Sequence, residues 1–189
     1  MEKKSLRPAG ITDEGYLNWI KEISSRYRNG QIKAAVKVNQ EMLRFYWELG
    51  RDIVERKAEN KYGSRFYAAL SKDLKSILGN VSGLSETTLK YTKYFYLTYI
   101  PVYQANENRP QVVDDLIRNL FSIPWGHHRY IIDKCSDNPQ KALFYVQKIL
   151  ENGWSRNTLL NYLDTNLFER SQGALTNFKR TLPVNAACS

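Results

Sequence analysis

The sequence predicts an all-α fold of about eight helices, arranged as two helix-turn-helix-like units around an aromatic core. Three observations lead there. Apolar residues recur at steps of three and four through nearly the whole 189-residue chain, the spacing of one helix face. No stretch shows sustained apolar–polar alternation with regular turn spacing, so a sheet is not expected. A nine-residue pattern also occurs twice, as GLSETTLKY from Gly83 and GWSRNTLLN from Gly153. Both read Gly, a bulky apolar residue, Ser, two polar residues, Thr, Leu. Gly supplies the positive φ of a tight turn, and Ser caps the next helix through its hydroxyl. Helix, turn and capped helix is a layout that proteins use to set a helix against DNA.

The elements follow in order. A first helix is expected from about Asp13 to Arg28, with Leu17, Ile20, Ile23 and Tyr27 on one stripe. Thr12 or Asp13 caps its start, and Asn29-Gly30 ends it with a turn signal. A long second helix runs from about Gln31 to Asn60, with Val38, Met42, Phe45, Leu49 and Ile53 inward. Its other face alternates in sign through Lys37, Glu41, Arg44, Glu48, Arg51, Glu55 and Arg56, which suits solvent. Gly50 within it costs about 1 kcal/mol against Ala and points to close packing.

Tyr62-Gly63-Ser64 breaks the chain, and a third helix reaches about Leu78 with Phe66, Leu70, Leu74 and Ile77 inward. A fourth, capped by Ser85, faces the core with Leu89, Thr92, Tyr96 and Tyr99. Pro101 stops it. PVYQANENRP, polar with a proline at each end, reads as a linker. The expected domains are therefore an N-terminal helical subdomain, 10–100, and a second, 110–183. In the second, Val112, Val113, Leu116, Ile117 and Leu120 mark a short helix. FSIPWGHH is a loop, and Tyr130, Ile131 and Ile132 belong to another short helix. Asn138-Pro139 starts the next, with Leu143, Val146, Ile149 and Leu150 inward. Asn152-Gly153 closes it, and Ser155 caps a last helix with Leu159, Leu163 and Leu167 inward.

Composition limits the partners. The formal net charge is +9. Residues 1–100 hold 18 Lys and Arg against 11 Asp and Glu, while residues 101–189 hold 10 against 8. A basic chain is drawn to polyanions, and in the cytoplasm these are mostly nucleic acids. The two cysteines, Cys135 and Cys188, form neither a disulfide framework nor a zinc set, which fits a reducing cytoplasm. No apolar run has the length of a membrane span, and the N-terminus shows no secretory h-region.

The DNA-binding candidates follow from the two capped helices. In the first, Thr87, Lys90 and Tyr91 point away from the Leu89–Tyr96 stripe, and Lys93 lies at its edge. In the second, Asn157 and Asn161 point away from Leu159 and Leu163, and Arg156 sits in the first turn, where its long side chain reaches outward. Arg pairs with guanine edges and Asn with adenine, while Lys and Thr suit phosphates. The same residues also suit an ordinary solvated helix. The rival reading is a protein–protein or dimerisation module, built on the aromatic surplus of 13 Tyr, 7 Phe and 4 Trp. Cations sharing one exposed face would favour DNA; an exposed face rich in Tyr and Leu would favour a protein partner.

Catalytic patterns are weak. Glu55-Arg56-Lys57 and Glu2-Lys3-Lys4 spell Glu-x-Lys, but neither follows a Pro-Asp pair or a strand. His127-His128-Arg129-Tyr130 resembles sites that act through tyrosine. Neighbouring helix positions diverge by about 100°, however, so the two imidazoles do not converge on one metal. Their expected role is structural, bonded to backbone or packed on Trp125. No phosphate-binding glycine loop, nucleophile elbow or dinucleotide fingerprint is present. No cofactor and no metal is expected, and no enzymatic activity for this chain alone.

Five stretches carry a family resemblance: FYWELGRDIVER (45–56), LSKDLKSILGNVSGLSETTLKYTKYFY (70–96), IPWGHHRYIIDK (123–134), ALFYVQKILENGWSRNTL (142–159) and LFERSQGALTNFKRTLP (167–183). In these the chain resembles the N-terminal helical region of the bacterial YhcG family. The resemblance implies a DNA-binding or partner-binding module, followed in the family by a nuclease half of the PD-(D/E)XK type that uses Mg²⁺. This chain stops just after NFKRTLP, and its tail VNAACS does not resemble the family's continuation. The nuclease half is accordingly expected to be absent, and its activity is not carried over.

Overall fold

The structure, a computed structural model, describes residues 13–79 and 81–172. Thr12, the Glu2–Lys4 tripeptide and Cys188 lie outside the described residues. Eight helices follow in order: α1 (Glu14–Glu55), α2 (Ala58–Tyr62), α3 (Phe66–Leu78), α4 (Glu86–Ala105), α5 (Pro110–Ser122), α6 (Trp125–Cys135), α7 (Pro139–Asn152) and α8 (Arg156–Asp164). A further helical stretch covers 167–172, and the described residues contain no strand. The all-α expectation holds.

The chain forms two compact units, Met1–Val38 and Asn39–Ser189. In the first, the described residues are the N-terminal part of α1. Asp13 caps it, its carboxylate accepting from the Tyr16 amide at 2.9 Å. Asn29-Gly30 does not end the helix; α1 continues through it. Nothing lies within 4 Å of a Cβ placed on Gly30, so no packing partner turns the chain there. A glycine inside a helix costs only about 1 kcal/mol, which the remaining hydrogen bonds offset. Leu17, Ile20, Ile23 and Tyr27 are exposed rather than inward.

The second unit is built on one large aromatic-rich core. Leu43, Tyr46 and Trp47 of α1 meet Phe95, Tyr96 and Tyr99 of α4, and the same cluster continues through Leu120, Ile131, Tyr145 and Leu159 to Leu163. Trp47 packs edge-on against Phe95 and Tyr96, with ring centroids 5.8 and 5.0 Å away, the geometry in which ring edge meets π face. A smaller cluster joins Ile53, Ala58, Tyr67, Leu84 and Leu89. The buried face of α1 is Leu43, Tyr46, Trp47, Gly50 and Ile53. Val38 and Phe45, expected inward, are exposed, as is Ile77 of α3. Both apolar stripes are helical; packing against α4 chose between adjacent registers.

Three boundaries differ from expectation. Pro101 lies inside α4, which continues to Ala105. Its missing amide would have bonded the carbonyl of Leu97, an exposed residue, so the orphaned group is not sealed in the core. FSIPWGHH is not a loop: Phe121 and Ser122 end α5, and α6 begins at Trp125. Residues 101–110 do not separate two domains, because α4 packs on both α6 and α7 and the main core includes residues from both sides.

Candidate nucleic-acid interface

The repeated motif folds the same way twice. Ser85 caps α4, its Oγ accepting from the Thr88 amide at 3.2 Å and meeting Thr88 Oγ1 at 2.9 Å. Ser155 caps α8 through Thr158 with the same two distances, 3.2 and 2.9 Å. The bulky residue before each Ser turns inward. Leu84 is buried, and Trp154 stacks on Tyr162 with ring centroids 4.2 Å apart. Gly83 and Gly153 both have positive φ, 89° and 62°, the left-handed region that disfavours a Cβ.

The turns themselves differ. Gly153 is the left-handed cap of α7, its amide bonded to the Ile149 carbonyl at 2.8 Å, so α8 follows almost at once. In the first copy Gly79 ends α3, and Gly83 is a separate turn inside the connection. The Tyr46 hydroxyl donates to the Gly83 carbonyl at 3.0 Å. A Cβ on Gly83 would stand 2.6 Å from that hydroxyl.

Helix α6 lies between the two motifs in the packing, contacting both α4 and α8. Gly126, Arg129 and Asp133 fall at i, i+3 and i+7, on one side of α6. Each meets a flanking helix. A Cβ on Gly126 would stand 3.1 Å from Cδ of Arg156, so the missing side chain gives that arginine its path. The Arg129 guanidinium lies over the Tyr91 ring, 4.8 Å from its centroid. The Tyr91 hydroxyl donates to the Asp133 carboxylate at 2.5 Å, and that bond, with burial, raises its pKa.

Thr87, Lys90, Arg156, Asn157 and Asn161 are exposed. Asn157 and Asn161 are one turn apart on α8. Lys90 forms no ion pair among the described residues and borders two shallow hollows. One lies between α4 and α6, with Thr87, Tyr91 and Asp133 in its wall; the other is lined by Gly63, Ser64 and Tyr67. Glu86 lines both, so the surface is mixed in sign.

Two candidates are placed differently from their sequence-based roles. Lys93 is not free at the helix edge: it pairs with Glu59, and this hydrogen bond holds the Glu59 carboxyl below its ordinary range. Tyr91 is half-buried and already bonded, so it holds neighbouring side chains. Sequence reasoning also passed over Arg129, noticed only within the His-His-Arg-Tyr run. No local pattern marks it, because its partner Tyr91 is on another helix.

The two histidines serve the packing. His127 Nε2 bonds the Trp154 carbonyl at 2.9 Å. His128 Nε2 bonds the Leu120 carbonyl at 2.8 Å, and its Nδ1 faces the Tyr99 hydroxyl at 3.3 Å. Burial pushes the His128 pKa down to about 3. The neutral ring therefore donates from Nε2 and accepts from Tyr99 at Nδ1. Glu55 lies at the exposed end of α1. Among the described residues, no group of three or more His, Cys, Asp or Glu is arranged to hold a metal, and no helix is long and apolar enough to cross a membrane.

These features define an all-helical module with two serine-capped helix starts packed on a shared central helix. The family model described as the DUF1016 N-terminal domain matches residues 22–170, and the chain belongs to that family. This is the N-terminal family of the YhcG proteins. No curated protein and no solved structure matches the chain.

Proposed function

We propose that this chain is a DNA-binding, targeting-type module of a nuclease-associated bacterial protein, working in the cytoplasm and not catalytic alone. One observation carries the reading: Lys90, Arg129 and Arg156, from three different helices, are exposed along the side where α6 meets α4 and α8. Cations gathered from separate elements form the kind of surface that meets phosphates. Stacking over Tyr91 restrains Arg129, so less side-chain freedom is lost on contact. Asn157 and Asn161 extend the surface with groups able to read adenine edges. Asp133 and Glu86 temper the positive field, so the expected binding is weak and strongly salt-dependent.

The test is a salt titration of binding to duplex, branched and single-stranded DNA. Each phosphate contact contributes about 0.9 to the slope of log K against log salt for duplex DNA. Lys90→Ala, Arg129→Ala and Arg156→Ala should each lower the slope by about 1. Lys93→Ala should leave it unchanged, since Lys93 is paired with Glu59. If Arg156 reads bases, its loss also narrows the gap between a preferred site and random DNA. No binding at low salt, or a slope indifferent to all three cationic positions, overturns the reading.

A further inference from the structure

We propose that residues 13–38 form a self-association surface, on which the N-terminal part of α1 pairs antiparallel with the same segment of a second copy. Eight large apolar side chains between Leu17 and Val38 are exposed there, among them Trp19 at 54%, Tyr27 at 66% and Val38 at 64%. Solvated helices seldom carry so much apolar surface without a partner. Tyr16, Ile20, Ile23, Tyr27, Ala34 and Val38 follow steps of four, three, four, seven and four. That is close to the 3.5-residue repeat of a helix seam, with Gly30 and Gln31 filling the longer step.

Two features make the occupant a second copy and the pairing antiparallel. The first is charge. Asp13, Glu14 and Glu22 precede Arg26, Arg28, Lys33 and Lys37, with Lys21 the exception. A parallel pair would set these four basic residues beside their own copies. An antiparallel pair sets the acidic end of each helix beside the basic end of the other. The second is size. With the crossing at Ser25, Tyr16 falls opposite Ala34, Ile20 opposite Gly30, and Ile23 opposite Tyr27. Large side chains thus meet small ones at both ends of the seam, as interdigitated packing requires. Gly30 has nothing within 4 Å of its Cβ position, so the space that Ile20 would enter is open.

The inference is independent of DNA binding and is read by mass. Sedimentation equilibrium of the full chain should give twice the 22.0 kDa chain mass. Ile20→Glu with Tyr27→Glu should return it to a single copy. Both positions are exposed, so the thermal unfolding of the aromatic core should stay cooperative and its midpoint near that of the unaltered chain. Orientation is read by cross-linking in a Cys188→Ser background, where Cys135 is buried. Ser24→Cys, near the crossing, should link to its own copy, and Leu17→Cys should not. A single-copy mass at every concentration tested overturns the proposal. So does a dimer that survives the double substitution, or one that links through Leu17→Cys, the parallel outcome.

Discussion

Gly50 of α1 passes so close to Thr92 of α4 that a Cβ on the glycine would stand 2.2 Å from the Thr92 carbonyl oxygen. Thr92 is fully buried, and its hydroxyl is bonded back to the Leu89 carbonyl at 2.7 Å. The glycine is what lets the two helix backbones meet and brings Trp47 onto Phe95 and Tyr96.

Gly50→Ala should therefore destabilise the fold by roughly 1–3 kcal/mol, since backbone rather than a mobile side-chain end must yield. Gly30→Ala should do the reverse. In the single-copy Ile20→Glu, Tyr27→Glu background its site is helical and open, so there the alanine stabilises by roughly 0.5–1 kcal/mol. Urea denaturation of the two variants should show opposite signs. Equal and small effects would mean that α1 and α4 do not approach this closely.

Ser85→Ala and Ser155→Ala should each cost about 1 kcal/mol, because each removes the acceptor for one amide of a first helical turn. The caps share no partner, so the double variant should lose about the sum. Chemical denaturation of the four proteins checks both points; a cost confined to one serine would break the equivalence of the motifs.

Stability should fall as the solution is acidified, and His128 gives the sign. Its folded pKa, about 3, lies below the ordinary histidine value of 6.5. The unfolded chain therefore binds a proton that the folded chain refuses throughout that window. The contribution is present above the upper value and is lost as pH falls toward the lower, by up to about 1.4 kcal/mol per pH unit. Between about pH 7 and pH 5 the loss from this residue should be about 2 kcal/mol. His128→Gln should remove that increment while lowering stability overall. An unchanged pH slope in the variant would mean that another group is responsible.

The purified chain should leave DNA intact with Mg²⁺ or Mn²⁺. His127 and His128 each hold a backbone carbonyl, and Glu55 ends a helix. Plasmid nicking is the readout. Activity that persists through repurification and vanishes in His127→Ala or Glu55→Ala would show catalytic chemistry in this domain.

Local signals were legible wherever neighbours in sequence settle the structure. The paired motif specified both serine caps and both positive-φ glycines, since a cap and a turn need only a few adjacent residues. Asn138-Pro139 marked the start of α7, and its cap was found, the Asn138 side chain accepting from the Lys141 amide at 3.0 Å. The spacing of Leu89, Thr92, Tyr96 and Tyr99 named buried residues of α4 correctly.

The sequence by itself determined an all-helical chain, its two capped helix starts, its close-packed Gly50 and its family. Tertiary structure decided the rest. It carried α1 through Asn29-Gly30 and α4 through Pro101, because a turn signal is worth only a few kcal/mol and competing helical bonds outweigh it. It left large apolar side chains from Leu17 to Val38 exposed, because periodicity records that a face is apolar and not what covers it. At the candidate interface it took Lys93 for Glu59 and brought Arg129 onto Tyr91. Both pairings join residues more than thirty positions apart, where no local spacing connects them, and only packing fixes which charges remain available to a ligand.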